Sequence, residues 1–95
     1  SKGRDATDWS GIDRPLVEGL RELRRRMAAE RKVPAYVVAN DAVLRDLARL
    51  RPSTLEAMSS IRGIGRKKLV EQGPELLAFL DEWCREHGLA RDMVD

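Results

Sequence analysis

Apolar residues recur every three or four positions in the first patterned segment of the chain. Leu16, Leu20, Leu23 and Met27 stand at i, i+4, i+7 and i+11, which is the spacing of one face of an α-helix. Asp13 precedes them as a side-chain N-cap, and a proline follows in the first turn, where its missing N–H does no harm. The pattern predicts a helix that ends at about residue 31 or 32.

Shorter segments follow a proline break. Residues 34–39 are apolar and partly β-branched with no partner strand nearby, so we predict an extended connector packed on the core. Asn40 then provides a cap signal for a second helix. The apolar stripe of that helix consists of Val43, Leu44, Leu47 and Leu50. Ser53 or Thr54 caps a third, short helix, with Glu56 placed as in a capping box.

A glycine-containing turn and a last helical region complete the chain. Residues 61–65 read Ile-Arg-Gly-Ile-Gly, and the two glycines permit positive φ and close backbone approach. A helix begins at Arg66, Gly73-Pro74 is predicted to interrupt it, and a last helix runs from about Pro74 to Glu86. Its apolar side consists of Leu76, Leu77, Leu80, Trp83 and Cys84. Helices joined by short links, without a strand pair, predict an all-α bundle.

These elements make one domain, because 95 residues are too few for two domains or for a substrate cavity beside the core. We assign residues 1–12 to a linker or tail, 13–89 to the helical domain and 90–95 to a second tail. Trp9 is expected to tuck against the domain. The chain lacks an initiator Met, and we expect a piece of a larger protein. It also lacks a long apolar run and a signal-peptide core, so we predict a cytoplasmic location, nucleoid-associated if bacterial, and no membrane partner.

Charge is distributed unevenly, although the net charge is only +2. Residues 21–32 contain six basic side chains against two acids, and residues 62–68 contain four basic side chains and no acid. Residues 71–86 contain five acids against one arginine. Two basic segments and one acidic helix favour a charged binding surface over a surface mixed only for solubility.

Side chains suited to catalysis are few and poorly placed. His87, the only histidine, lies at a helix end where it can contact free carbonyl groups. Cys84, the only cysteine, lies one turn away without an oxyanion donor, and we interpret it as a core residue. The chain has no Walker sequence and no strand-linked glycine fingerprint. We therefore predict no autonomous enzyme, cofactor, metal or small-molecule substrate.

The sharpest candidate site is the turn that precedes Arg66. Free N–H groups at a helix N-terminus carry partial positive charge and suit a phosphate. Mobile cations surround the same position. The candidate DNA-binding residues here are Arg62, Gly63, Gly65, Arg66, Lys67 and Lys68. The alternative is a purely structural turn with a solvated basic face.

Two further groups could extend this site. Arg14, Arg21, Arg25 and Lys32 fall on the face of the first helix opposite its apolar stripe, although outward helix faces are commonly charged. We keep Arg21, Arg25 and Lys32 as DNA-binding candidates. Tyr36 lies in the connector, where an exposed aromatic could stack on an unpaired base for ~1–3 kcal/mol. A buried tyrosine in a loop is equally common, so both readings stay open.

These features, in this order, resemble the HRDC domain, the module shared by RecQ-family helicases and ribonuclease D. Three segments carry the resemblance: the helix over residues 16–30 with its Leu-x-x-Leu-Arg spacing, residues 33–44 (VPAYVVANDAVL), and residues 61–69 (IRGIGRKKL). The match covers about residues 14–87. The second segment is the most specific, because the third is shared with helix-hairpin-helix DNA-binding motifs.

The resemblance implies a compact five-helix bundle without catalytic residues, used as an auxiliary nucleic-acid-binding or regulatory domain near the C-terminus of a parent enzyme. By position, Tyr36 matches the family's aromatic residue. The hairpin positions that match are Gly65, Lys67 and Lys68. Ala35 stands where the family often has a second proline, and Ala39 stands where a phenylalanine is common.

Two functions are compatible with this reading. The first is weak, sequence-nonspecific binding of single-stranded or junction DNA by a monomeric domain beside a RecQ-like helicase motor. The second is a regulatory module that docks on the catalytic domains of the same parent chain. Its docking residues would be Glu71, Glu75, Asp81, Glu82 and Glu86. The equivalent RNA-binding domain of a ribonuclease D is a further alternative.

Overall fold

The computed structural model describes residues 9–94, and within them it contains five α-helices and no strand. The helices are α1 (Arg14–Arg31), α2 (Ala35–Val38), α3 (Asp41–Leu50), α4 (Leu55–Met58) and α5 (Arg66–His87). The prediction of an all-α, five-helix bundle is confirmed. None of these helices has an apolar stretch long enough to cross a bilayer.

The long helix α1 is the central element, because it contacts α2, α3 and α5. Its cap is the predicted one: the Asp13 carboxylate accepts a hydrogen bond of 3.1 Å from the Leu16 amide. The predicted apolar stripe is fully buried. Each such side chain contributes roughly 1.5–3 kcal/mol through removal of apolar surface from water.

Helix α2 corrects the predicted extended connector. Residues 35–38 form one helical turn, in which the Val37 amide donates to the Pro34 carbonyl at 3.0 Å and the Ala39 amide donates to Ala35 at 3.3 Å. Pro34 suits the N-cap position because no N–H is needed there. The turn buries Val38 and Ala39 completely, and this tertiary packing overrides the β-branched composition.

Helices α3 and α4 begin at side-chain caps. Asn40 caps α3 as predicted, with its Oδ1 accepting an amide hydrogen bond at 2.8 Å. Thr54 caps α4, accepting from an amide at 3.0 Å. The capping box of Ser53 and Glu56 is wrong, since Ser53 instead donates its amide and hydroxyl to the Asp92 carboxylate.

Helix α5 is continuous over 22 residues, so the predicted interruption at Gly73-Pro74 is wrong. Pro74 removes one backbone donor, but the helix buries a single face on both sides of it, from Gln72 to Cys84. Gly73 has a packing role, because a Cβ there would lie 3.0 Å from Cδ2 of Leu55. The small residue lets α4 approach α5.

The segment before α1 is attached to the domain through Trp9. The indole is half-buried against the core, with the Arg14 guanidinium 4.3 Å and the Arg45 guanidinium 5.9 Å from its ring centre. The predicted tucking of Trp9 is confirmed. Residues 1–8 of the predicted linker lie outside the described part of the chain.

The segment after α5 lies along the end of α3. The Asp92 amide donates to the Arg51 carbonyl at 2.9 Å, and the Met93 amide donates to the Leu50 carbonyl at 2.8 Å. Residues 90–93, assigned to a tail from the sequence, therefore have hydrogen-bond partners in the fold. Residue 95 lies outside the described range.

Candidate nucleic-acid interface

Gly63 shapes the turn that precedes α5. Its φ is +99°, and a Cβ there would stand 2.7 Å from Cγ2 of Val43, so no other residue fits without strain. The Ile64 amide donates to the Ile61 carbonyl at 3.0 Å, and both isoleucine side chains are buried. Residues 61–68, here called the basic hairpin, are thus anchored in the core through Ile61 and Ile64.

Gly65 is the N-cap of α5, and it differs from Gly63. Its φ is −84°, so positive φ, which the sequence allowed at both glycines, occurs only at Gly63. No side chain caps α5, and a Cβ at Gly65 would meet nothing within 4 Å. The fold itself does not require glycine at this position, and the first amides of α5 are left without a side-chain cap.

The first turn of α5 is basic, with no acidic residue. Arg66 and Lys67 are exposed and Lys68 is half-buried, and Arg62 is exposed in the turn before them. A helix N-terminus already carries partial positive charge, so each cation there costs about 0.3–1 kcal/mol of stability. The cations at this end of α5 therefore lower the stability of the fold and favour the binding of an anion.

Tyr36 is 70% exposed, which removes the reading of a buried tyrosine. Its neighbour Val37 reaches the basic hairpin, where a surface depression forms. The residues that line this hairpin depression are Val37, Gly65, Arg66, Lys67, Lys68, Glu71 and Gln72. The structure therefore places the helix that carries Tyr36 beside the N-terminus of α5.

Arg21 and Arg25 of α1 lie next to the start of α2. A second depression there is lined by Glu18, Arg21, Glu22, Arg24, Arg25 and Ala35. Because Ala35 begins α2, the tyrosine-bearing helix lies between the α1 cations and the basic hairpin. Arg25 is paired with Glu22. Lys32 is exposed as the left-handed C-cap of α1.

Arg24 was not predicted as a functional residue, but it joins α1 to the end of α2. Its side chain is only 13% exposed, and its guanidinium donates to the Ala39 carbonyl at 3.1 Å and to the Asp41 carboxylate at 2.8 Å. The hydrogen bond from Arg24 holds the pKa of Asp41 below its usual value. Arg24 thereby fixes the end of α2 on α1. In the sequence it is indistinguishable from the neighbouring surface arginines.

Gln72 was also not predicted as a candidate residue of this site. It is 3% exposed, and its Oε1 is buried with no hydrogen-bond partner. A signal existed in the sequence: the only glutamine of the chain stands three residues after Leu69 and four before Leu76. That spacing places a polar residue on the apolar face of a helix.

The acidic residues of α5 do not form one free surface. Glu75 pairs with Arg31 of α1 at 3.1 Å, and Asp81 pairs with Arg91 at 2.8 Å. Glu71 lines the hairpin depression. The remaining two acids lie in a third depression, lined by Arg26, Phe79, Glu82, Trp83 and Glu86.

The surroundings of the single cysteine and the single histidine indicate structural roles. Cys84 is buried, and burial raises the pKa of its thiol, which makes it a poor nucleophile at neutral pH. Nδ1 of His87 lies 2.9 Å from the Trp83 carbonyl, and the two rings stack at 4.3 Å. Among the described residues, no group of three or more His, Cys, Asp or Glu side chains is arranged to hold a metal.

The chain is similar in sequence to known proteins over most of its length. Residues 13–80 match the model of the HRDC domain. The chain is 36% identical over 73 residues to the ATP-dependent DNA helicase RecQ of Haemophilus influenzae, which is 77% of this chain and 12% of that protein. It is 39% identical over 77 residues to the ATP-dependent DNA helicase UvrD2 of Mycobacterium tuberculosis, covering 81% of this chain and 11% of that protein.

A eukaryotic relative is similar over the same region. The bifunctional 3'-5' exonuclease/ATP-dependent helicase WRN of Mus musculus is 32% identical over 79 residues, covering 83% of this chain and 6% of that protein. The chain thus spans about a tenth or less of the length of these relatives.

Proposed function

The chain belongs to the HRDC domain family, and from this premise we propose that it is a non-catalytic accessory domain that binds single-stranded or junction DNA weakly beside a helicase motor. The observation that carries the proposal is the first turn of α5. Three cations, a helix N-terminus without a side-chain cap and the exposed Tyr36 helix meet there. Cations at a helix N-terminus lower the stability of the fold, and such a local loss is expected at a site where ligand binding offsets it.

Phosphate is the first ligand group of the proposed site. Amides of the first turn of α5 would donate to a phosphate oxygen, with Gly65 allowing close approach because it has no side chain. Lys67 and Arg66 would neutralise charge from the solvent side, and Arg62 would do so from the turn. Such contacts follow the DNA backbone and carry no sequence information.

A base is the second ligand group. Tyr36 would stack on an unpaired base, and Arg21 and Lys32 would continue the phosphate track along α1. The affinity is expected in the non-specific range of about 10⁻⁴–10⁻⁶ M. Glu71 and Glu18 stand among these cations and weaken the attraction for phosphate. The domain would bind as a monomer.

The test is fluorescence anisotropy of a labelled ~15-nucleotide single strand at low and moderate salt. Binding should fade as salt rises. Lys67→Gln should reduce affinity and flatten the salt dependence, and Tyr36→Ala should reduce affinity by about fivefold or more while Tyr36→Phe retains it. Arg85→Gln is the matched control, since Arg85 is exposed on α5 about 28 Å along the axis from Arg66.

Absence of binding at low salt contradicts the proposal. So does an equal loss of affinity in Arg85→Gln and Lys67→Gln, because it would indicate attraction to net charge without a site. Duplex DNA of the same length provides the comparison for preference between single and double strands.

We propose a helicase as the parent protein. The relatives described above are named as helicases, which favours a DNA helicase over a ribonuclease D. The activity and substrates of the parent are part of the same proposal, because this chain matches only a small share of each relative.

Docking on the parent's catalytic domains is the second candidate function. Glu82 and Glu86 favour it, because both are exposed beside the half-buried rings of Phe79 and Trp83. Acids around an aromatic centre suit a basic protein surface. Glu82→Lys with Glu86→Lys should alter the DNA binding of the full-length enzyme and leave that of the isolated domain unchanged or stronger. Glu75 is unsuited to this test because its reversal would break the Arg31 pair.

A further inference from the structure

Met93 differs from the other two methionines of the chain in its surroundings. Met27 and Met58 are completely buried in the core, whereas Met93 is 41% exposed. Peroxides oxidise a thioether to a sulfoxide, and the reaction requires that the oxidant reach the side chain. The fold therefore protects two methionines from oxidation and leaves the third accessible.

The backbone of Met93 belongs to a segment that joins the end of α5 to the end of α3. This segment, residues 90–94, is here called the strap. The Met93 amide donates to the Leu50 carbonyl at 2.8 Å, and the buried Arg51 guanidinium donates to the Ala90 carbonyl at 2.7 Å. Because the strap is short and lies at the surface, its attachment depends on a small number of such contacts.

The side chain of Met93 lines a surface depression between the strap and α4. The residues that line this strap depression are Leu50, Pro52, Ala57, Ser60, Asp92 and Met93. Val94 is 93% exposed, so Met93 provides the apolar packing of this end of the strap. The Ser60 hydroxyl, the only one among the lining residues, already donates to the Ala57 carbonyl at 2.8 Å. The depression thus presents apolar groups and a carboxylate to Met93, and no free side-chain donor.

We propose that Met93 is a site of reversible oxidation by hydrogen peroxide and that its sulfoxide loosens the strap. This inference goes beyond the proposed function, since it involves no nucleic acid. The thioether sulfur takes one oxygen atom from the peroxide: an S–O bond forms, the O–O bond breaks and the rest of the peroxide leaves as water. Sulfur is oxidised and the peroxide is reduced by the same pair of electrons. Methionine sulfoxide reductases reverse the change.

The sulfoxide is unsuited to the strap depression. Its oxygen is a strong hydrogen-bond acceptor, and a polar group in apolar surroundings is unfavourable without a donor. The Asp92 carboxylate in the same depression adds repulsion between two acceptors. The oxidised side chain therefore turns to water, and the strap loses the packing that Met93 provides.

The experiment treats the folded domain with dilute hydrogen peroxide and follows each methionine by peptide mass spectrometry. Met93 should gain one oxygen atom roughly tenfold faster than Met27 and Met58. After full oxidation of Met93, Tm should fall by about 2–5 °C, and deuterium exchange of the Met93 amide should accelerate about fivefold. Treatment with the two methionine sulfoxide reductases, one for each sulfoxide epimer, should restore both values.

Met93→Leu is the matched control, because it keeps an apolar side chain of similar volume and has no thioether. Peroxide should change its Tm by less than about 1 °C. Oxidation of Cys84 or of a tryptophan would instead lower the Tm of both proteins equally. Met93→Gln places a polar group at the same position and should reach the Tm of the oxidised wild type without peroxide.

Resistance of Met93 to peroxide, or oxidation of Met27 and Met58 at the same rate, overturns the inference, because exposure would then not select the site. Unchanged Tm and amide exchange after full oxidation of Met93 also overturn it, since the strap would not depend on the thioether. An equal fall in Tm for Met93→Leu would assign the effect to another side chain and has the same consequence.

Discussion

Gly65→Asp separates the stability of α5 from the binding of phosphate proposed for its first turn. Gly65 is the N-cap with φ of −84° and space for a Cβ, so aspartate fits the existing backbone. Aspartate is a better N-cap than glycine by a few tenths of a kcal/mol, and an anion at a helix N-terminus adds about 0.3–1 kcal/mol. The free energy of unfolding should rise by roughly 0.5–1.3 kcal/mol, which corresponds to about 2–10 °C in Tm for a domain of this size.

The same substitution should weaken DNA binding. Its carboxylate would occupy the position proposed for phosphate and would cap the amides that phosphate needs. Affinity for a single strand should fall at least tenfold, or about 1.4 kcal/mol. Gly65→Ser is the control, because it adds a cap without a charge: it should raise Tm by only about 1–3 °C and reduce affinity less.

Thermal denaturation followed by circular dichroism, together with anisotropy titrations, measures both effects. A lower Tm for Gly65→Asp would refute the capping geometry described above. A higher Tm with unchanged DNA affinity would refute the placement of phosphate at the first turn of α5.

Three further predictions concern stability. Asp41→Asn should destabilise by up to ~1 kcal/mol at pH 7; because Arg24 lowers the folded pKa of Asp41, the difference from wild type in urea unfolding should be fully present above the usual aspartate pKa of about 4 and should disappear as pH falls through the lower folded pKa. Gly63→Ala should cost roughly 2–4 kcal/mol, since it combines positive φ with overlap on Val43, and a Tm unchanged within 2 °C would contradict this. Removal of residues 91–95 should lower stability by about 1–2 kcal/mol, because two backbone hydrogen bonds to the end of α3 are lost; a thermal melt that superposes on that of the full chain would count against it.

Local signals predicted the helix starts well. Asp13 and Asn40 are caps whose side chains act within three residues, so their effect can be read from neighbouring positions. The apolar stripe of α1 has a regular period over about three turns and is buried as expected. Such features depend on backbone geometry alone.

Tertiary packing accounts for the two elements that were predicted wrongly from the sequence. Pro34 and the β-branched residues after it suggested an extended segment, but burial of Val38 and the bond from Arg24 hold a helical turn. Pro74 suggested a break, but packing on both sides of it keeps α5 in one piece. Both outcomes depend on residues distant in sequence, which no local pattern contains.

The candidate site also combines features that are visible in the local sequence with features that depend on tertiary packing. The basic hairpin was visible because its glycines and cations are contiguous in sequence, although its DNA-binding role stays a prediction. The exposure of Tyr36 depends on how α2 lies against the bundle. The Arg31–Glu75 pair joins α1 to α5, so the division of the acidic residues could not be read from their spacing.

The attachment of Trp9 has a consequence for the proposed tethering of the domain to a helicase motor. Because the indole packs on the core and contacts the Arg14 and Arg45 guanidinium groups, the residues attached to the bundle extend back to residue 9, four positions before the N-cap Asp13. Release of the ring would add about four residues, or up to ~13 Å of reach. Because effective concentration falls steeply with tether length, these two cation–π contacts would set how often the proposed binding domain meets DNA held by such a motor.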